Sequence, residues 1–338
     1  MRSAGVFSIA FIMFTTSSTR AQESWGSITR IDSSIIMRFG GDCVLAEYYE
    51  QFVGNDIGLA FRDFNLLKDP DIAMVNLESP VTTRGEKVSK PFNFRTKPEY
   101  LQVLKDAGVD IVNIANNHIF DYGKVGLFDT IEYLDSSAIG HVGAGRNRFE
   151  AHKPVIFSKY GRSIAFLGYY EGGEAPAAGN NRPGVAKRTI ELIRKDIRAL
   201  KKSGGINFIV INLHWGIEKA SVPEPWQIQF GRQVIDAGAD AVIGHHSHVL
   251  QGIERYKSGV IVYSLGNLIF GGNSRSTYTT GLFEIRLTNQ EPEYRFIPVG
   301  VENWQARELT GREADEVLES LNQLSLHFPA SIFRKPGK

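Results

Sequence analysis

The sequence predicts an α/β protein built on a mostly parallel sheet, and three observations carry that prediction. Short β-branched runs alternate with amphipathic helical stretches, and the alternation gives way to a late antiparallel hairpin. Glycine supplies 34 of 338 residues, which suits many tight strand-to-helix turns better than a helical bundle. Buried strands are expected at 34–39, 72–75, 110–114, 163–169, 208–213, 241–243 and 260–263, each a short apolar run between polar or glycine residues. A helix over 98–107 has Pro98 in its first turn and Gly108 just past its end. The stretches 125–135, 189–202 and 225–237 follow the same grammar. Residues 281–287 and 293–299 flank a polar turn and form the hairpin, and a helix over 312–324 precedes a basic tail. Nothing resembling a linker cuts the chain, so one domain is expected over 32–300, with 301–338 as a C-terminal helix and tail.

Hydrophobic residues make up 42% and charged residues 22%, the balance of a soluble globular protein. Thirty-eight basic side chains face 37 acidic ones, so no basic field points to nucleic acid. The start, MRSAGVFSIAFIMFTTSSTRA, has a basic Arg2, an apolar run over 6–14 and small residues at Thr19 and Ala21. That is a secretory signal pattern over 1–21, its apolar run too short for the roughly 20 residues that span a bilayer. The expectation is export, to the periplasm or the exterior, with retention of the signal as an anchor as the alternative. Removing Arg2 and Arg20 leaves 36 basic against 37 acidic side chains. The single cysteine, Cys43, excludes an intrachain disulfide and a Cys-based zinc cluster. A metal here must be held by His, Asp, Glu and Asn.

DAGVDIVNIANNH (106–118) and DAGADAVIGHHSH (236–248) agree at six of thirteen positions, both reading helix end, glycine stop, apolar strand, then a polar cluster ending in histidine. The echo places both clusters just past strand C-termini, the edge of an open parallel sheet where ligands bind. The other strands share the arrangement: Gly40-Gly41-Asp42, Asn76-Leu77-Glu78, His214-Trp215-Gly216 and Ser264-Leu265-Gly266-Asn267 each follow an expected strand. Five of the eight histidines (118, 214, 245, 246, 248) occupy such positions. Imidazole and carboxylate are the ligands of a divalent cation that keeps positions open, and an amide oxygen such as that of Asn117 completes a shell without adding charge. A histidine that is not a ligand can protonate a leaving alkoxide. Asn267 is a candidate substrate contact. Arg95, in PFNFRTKPEYL, is read equally as a contact for an anionic substrate and as a structural ion pair. His141, His152 and His327 lack such company and read as structural, and Cys43 reads as a small buried hydrophobe.

At FGGD (39–42), VNLESP (75–80), FNFR (92–95), NIANNHIFDYG (113–123), NLHWG (212–216), GHHSHVLQG (244–252) and YSLGN (263–267), the chain resembles the CapA/PgsA family of capsule and poly-γ-glutamate biosynthesis. The resemblance implies a four-layer αββα sandwich of the calcineurin-like metallophosphatase type. It also implies Asp42, Glu78, Asn117, His214, His246 and His248 as ligands of one or two divalent ions (Mn, Fe or Zn), with His118 as the acid. Two departures stand out. Metallophosphatases open with Asp-x-His where this chain has Asp42-Cys43-Val44, and their second motif carries Gly-Asp where it has Leu77-Glu78. GHHSH fits the last motif in two registers, through His245 or His246.

The expected function is an exported CapA-like protein of extracellular polymer formation with a metal-dependent, phosphoester-hydrolase-type site. Its partners would be an anionic polymer or phosphoester and membrane-bound synthase subunits, with no nucleic acid. The alternative is a non-catalytic assembly or polymer-binding subunit of a membrane synthase; amide-bond cleavage on a polyglutamate chain is a third reading.

Overall fold

Strand runs that are apolar on both faces must be covered on both faces. The computed structural model of the chain, which describes residues 33–333, meets that demand with two stacked sheets between two helix layers. The leader expected at 1–21 lies outside the described residues.

The first sheet starts with β1 (Ile35–Val44), followed by helix α1 (Tyr48–Val53), β2 (Ile72–Leu77), α2 (Leu101–Ala107), β3 (Ile111–Asn113), α3 (Gly123–Ser136) and β4 (Gly140–Val142). A two-residue strand β5 (Ala144–Gly145) and one-turn helix α4 (Arg148–Ala151) lead to the second sheet. There β6 (Val155–Lys159) and β7 (Arg162–Tyr170) form a hairpin, and β8 (Gly184–Val185) returns to pair with β5. Helix α5 (Ile190–Ser203), β9 (Ile206–His214), α6 (Pro225–Ala237) and β10 (Ala241–His245) continue it, and the hairpin β11 (Ile253–Tyr256) and β12 (Gly259–Val262) completes it. The chain then rejoins the first sheet through β13 (Asn267–Phe270), β14 (Tyr278–Leu287), β15 (Glu293–Glu302) and β16 (Gln305–Glu308), and ends in α7 (Gly311–Ser325).

The orders are β16-β15-β14-β1-β2-β3-β4, with β13 also on β1, and β11-β12-β10-β9-β7-β6. Both sheets are mixed, with parallel pairings in the majority in each. Strands β1 to β4 run parallel, whereas β14 lies antiparallel on β1 and the β6 and β11 edges are antiparallel hairpin partners.

Period-2 alternation divides each strand between two cores. Ile35, Met37, Phe39, Ile72 and Met74 of the first sheet meet Ile164, Phe166, Phe208, Val210 and Ile243 of the second in the central core. Their neighbours Ala73, Val75, Leu77 and Val112 turn outward onto Leu101, Leu104, Leu127 and Ile131 of α2 and α3. In the second sheet Leu167, Ile209, Ile211 and Val242 turn onto Ile193, Ile197 and Val234 of α5 and α6. The result is the four-layer α/β/β/α sandwich. Phe166 is wholly buried, its ring 6.4 Å from Phe39 across the central layer. Phe166→Ala is expected to cost about 3–5 kcal/mol in urea unfolding; a loss below about 1 kcal/mol would show that the sheets do not depend on this layer.

Helix α6 occupies the expected 225–237, closed by a capping box between Glu224 and Gln227 and by Gly238 in the left-handed region at φ 109°. The N-terminal part of the helix expected over 98–107 is a 3₁₀ turn over Pro98–Tyr100 that precedes α2. No described helix is long and apolar enough to cross a membrane.

Candidate metal centre

The chemistry-bearing residues lie where the C-terminal ends of β1, β2, β3, β9 and β10 approach one another. Asp42 is not past β1 but inside it. The first half of β1 pairs antiparallel with β14, the second half parallel with β13, and the register shifts between Asp42 and Cys43. Gly41 makes this possible: a Cβ there would lie 2.0 Å from the Gly266 carbonyl oxygen. That closeness lets the Asp42 amide donate to Gly266 O at 2.8 Å. Asn267 is likewise the first residue of β13 rather than a residue following β12.

Asp42 is fully buried and held on all sides. Asn76 Nδ2 donates to its Oδ1 at 2.8 Å, and the His246 amide donates to its Oδ2 at 3.2 Å, tying the two sheets together. His248 Nδ1 lies 3.2 Å from Oδ2, and His245 Nδ1 lies 3.5 Å from Oδ1. Asn76 in turn accepts from Asn113 Nδ2 at 2.8 Å, so a row of buried amides sets the carboxylate from behind.

Glu78 reaches the same space from just past β2. His214 Nε2 stands 3.4 Å from its Oε1 and 2.8 Å from Asn117 Oδ1, and His248 Nε2 is 3.8 Å from Glu78 Oε1. The His214 and His246 ring centroids are 4.6 Å apart. The structure therefore brings together Asp42, Glu78, Asn117, His214, His246 and His248.

Within GHHSH the backbone parts His246 and His248 from His245. His246 and His248 have φ of 94° and 58°, sparsely populated for histidine, and this turns both rings toward Glu78. His245, the last residue of β10, stays buried against Asp42.

His118 is nearly buried beside the cluster, stacked on Phe94 at 4.2 Å. Its Nδ1 is 2.7 Å from Asp121 Oδ2 and 3.2 Å from Lys90 Nζ, a proton on Nδ1 being the one the carboxylate can accept, and Nε2 has no hydrogen-bond partner among the described residues. Lys90 Nζ donates to Asn117 O at 2.9 Å and pairs with Asp121 Oδ1 at 2.5 Å. Asn267 Oδ1 lies 2.8 Å from His248 Nδ1, orienting that ring. Arg95, next to Phe94, turns onto the Tyr122 ring at 4.3 Å, in a charged depression with Glu47, Glu50, Lys87 and Lys97.

Sequence reasoning missed two residues. Lys90 lies in a loop with no strand-end signal. Glu218 stands four residues past His214, and its carboxylate falls in one group with His246 and His248. Two loop bonds bring it there, Trp215 N to His245 O at 3.3 Å and Lys219 N to Ser247 O at 2.7 Å. Of the remaining histidines, His152 Nδ1 pairs with Asp196 Oδ2 at 2.6 Å and His141 Nε2 lies 3.3 Å from Asp135. Cys43 is buried, and burial with Asp42 alongside pushes its thiol up to about 12.

Electrostatics mark the cluster as unbalanced. Burial and the Asp42 charge push the Glu78 carboxyl well above its ordinary range. Burial also opposes charge on Asp42, yet His248, His245 and Asn76 outweigh it and hold Asp42 below that range. Burial disfavours the His248 imidazolium too, but Glu78 and Asp42 raise it to about 10. Burial and four neighbouring imidazoles, His246, His245, His248 and His118, hold His214 well below its usual value.

Both Glu78 oxygens are buried without a hydrogen-bond partner, as is His246 Nδ1. Buried polar atoms left unpaired are costly and mark a missing partner. Three overlapping groups, Glu78–His214–His246, Asp42–Glu78–His248 and Glu218–His246–His248, each hold their donor atoms within 4.8 Å of one another. A mixed carboxylate, imidazole and amide set fits a divalent transition metal.

The bacterial capsule synthesis protein family, PGA_cap, matches residues 37–272. The capsule biosynthesis protein CapA of Bacillus anthracis is 33% identical over 270 residues, covering 76% of this chain and 65% of that protein. The PGA biosynthesis protein CapA of Bacillus subtilis (strain 168) is 33% identical over 281 residues, covering 81% of this chain and 73% of its own. Among solved structures, the NAD nucleotidase of Haemophilus influenzae overlaps 86% of this chain and 56% of its own at a TM-score of 0.48 and 15% identity.

Proposed function

The chain belongs to the bacterial capsule synthesis protein family, and from that premise we propose that it is an exported protein of extracellular polymer formation whose cluster is a metal-dependent, phosphoester-hydrolase-type site. One observation carries the reading: two buried carboxylates and three imidazoles from two different sheets share one space, with neither oxygen of Glu78 hydrogen-bonded among the described residues. Asp42, Glu78, Asn117, His214, His246 and His248 would hold the cation, with Glu218 at the rim. A divalent cation held there would supply Lewis acidity toward a phosphoryl oxygen.

The chain's own residues supply the rest. Asp121 fixes the His118 ring through Nδ1 and leaves Nε2 to exchange a proton with a leaving oxygen. Lys90 holds Asp121 and the Asn117 carbonyl, so one ammonium keeps the amide ligand and the proton carrier in register. Phe94 covers one face of the His118 ring and keeps water from it.

The test is a purified full chain assayed for Mn, Fe and Zn content and for phosphomono- and diester hydrolysis with and without chelator. Chelator-sensitive turnover that falls about 100-fold in His118→Ala, with metal content kept, supports the catalytic reading. A metal-free protein without turnover, whose His118→Ala variant still sustains polymer formation, overturns it. Export is tested separately by fractionation and N-terminal sequencing of the mature chain.

A second reading, a non-catalytic subunit of a membrane synthase, is favoured by Val44. This residue stands where metallophosphatases carry histidine, and it is buried with Ala46, Phe94 and Phe270 in a closed apolar cluster. Full metal occupancy without hydrolysis of any phosphoester would select this reading.

A further inference from the structure

One cation near the cluster is left poorly paired. Arg188 follows the short stretch that bridges to the end of β7, its amide donating to Tyr170 O at 3.1 Å, and the Tyr170 ring packs 5.6 Å from the ring of His214. The Arg188 guanidinium lies across the i, i+4 pair Trp226 and Phe230 on α6, 4.6 and 5.1 Å from the two ring centroids. Only 12% of its side chain is exposed. A guanidinium has five N–H donors, and a buried one ordinarily spends several on carboxylates or carbonyls. Here none is spent among the described residues. Nε is buried and unpartnered, and the single ion pair, with the exposed Glu171, is a long 3.8 Å that Glu171 shares with Lys187 at 3.3 Å.

Trp226 and Phe230 flank the guanidinium, and the groups left without partners are its in-plane N–H donors. An edge of parallel N–H donors matches a planar acceptor with two oxygens. Glu171 and Glu174 lie on the same segment, Glu174 accepting from the Tyr170 hydroxyl at 2.6 Å. Their charge penalises a dianionic phosphate more than a monoanionic carboxylate.

We propose that Arg188, backed by Trp226 and Phe230, is a carboxylate-recognition subsite that seats an acidic chain next to the metal centre. The proposal rests on the reading of the protein as one that handles an anionic polymer, and it names the group by which the polymer is gripped. It requires no covalent step.

The experiment titrates the full chain with a synthetic oligoglutamate of defined length and, separately, with phenyl phosphate. Calorimetry and Trp fluorescence follow binding, and Trp226→Phe assigns the optical signal. Arg188→Gln is expected to weaken oligoglutamate about tenfold or more while shifting phenyl phosphate less than about twofold. Arg188→Lys restores the charge without the fork and is expected to fall between. Equal oligoglutamate affinity in parent and Arg188→Gln overturns the proposal, as does an equal loss for both ligands or no binding by the parent. Should the Gln variant fail to fold, Arg188→Lys decides, and an unchanged oligoglutamate affinity overturns the proposal. Metal content separates this result from the reading it rests on. A chain that holds no cation yet loses oligoglutamate binding in Arg188→Gln keeps the subsite and loses only the hydrolytic site.

Discussion

Asp42→Asn is expected to abolish metal uptake, weakening it by more than the roughly 10–100-fold that changes behind a ligand cost. The carboxylate lies in one of the three candidate groups and touches residues of the other two: the His246 amide, His248 and, through Asn76, His214. The amide keeps the shape and still accepts from Asn76 but loses the charge that balances a dication. Without metal the fold is expected to survive, because the change loses the acceptor of the His246 amide and the contact with His248 Nδ1, each worth about 1–3 kcal/mol. Thermal melts with and without added Mn(II) give the signature. The parent gains melting temperature with metal, since a ligand that binds only the folded state stabilises it by mass action, and the variant does not. Equal metal-dependent stabilisation in both proteins would remove Asp42 from the centre.

Gly41→Ala is expected to damage fold and site together. The added Cβ would meet Gly266 O at 2.0 Å, Gly266 C at 2.8 Å and Leu265 O at 3.0 Å, all backbone atoms that no side-chain rotation can relieve. The strand must move, breaking the Asp42–Gly266 bond and the parallel pairing of Asp42 with Asn267. Overpacking costs about 1–3 kcal/mol where side chains can yield, and more is expected here. Metal uptake should fall with it, because the strand that moves carries Asp42. Gly58→Ala is the control, with a φ of −81° and open space around its Cβ, and a change within about 0.5 kcal/mol is expected. Equal unfolding free energies for the two variants would show that the close approach at Gly41 is not what holds β1 to β13.

Much of the fold was legible along the chain because strands buried on both faces leave short, unbroken apolar runs with sharp polar ends. Strands β1, β2, β7, β9 and β10 were located this way, and the helical stretches expected over 189–202 and 225–237 are where α5 and α6 stand. Edge strands were not legible. In β6 most side chains are half-buried or exposed, and β16 is only four residues with two exposed, so neither leaves an apolar run to find. The division of β1 between two partners was hidden for another reason. It depends on β13, which lies more than 200 residues away in the chain.

By itself the sequence determined which residue types stand at the strand ends, Asp42, Glu78, Asn117-His118, His214 and the GHHSH run, because local periodicity and glycine stops act over a few residues. Only the tertiary structure decided that two sheets stack with those ends facing one space. It also set the positive φ that carries His246, and not His245, into the groups around Glu78, seated Arg95 on Tyr122, and placed Lys90 and Glu218 beside the cluster. Each of these depends on a partner distant in the chain, and a contact between distant residues is set by how whole layers pack, which no local pattern encodes.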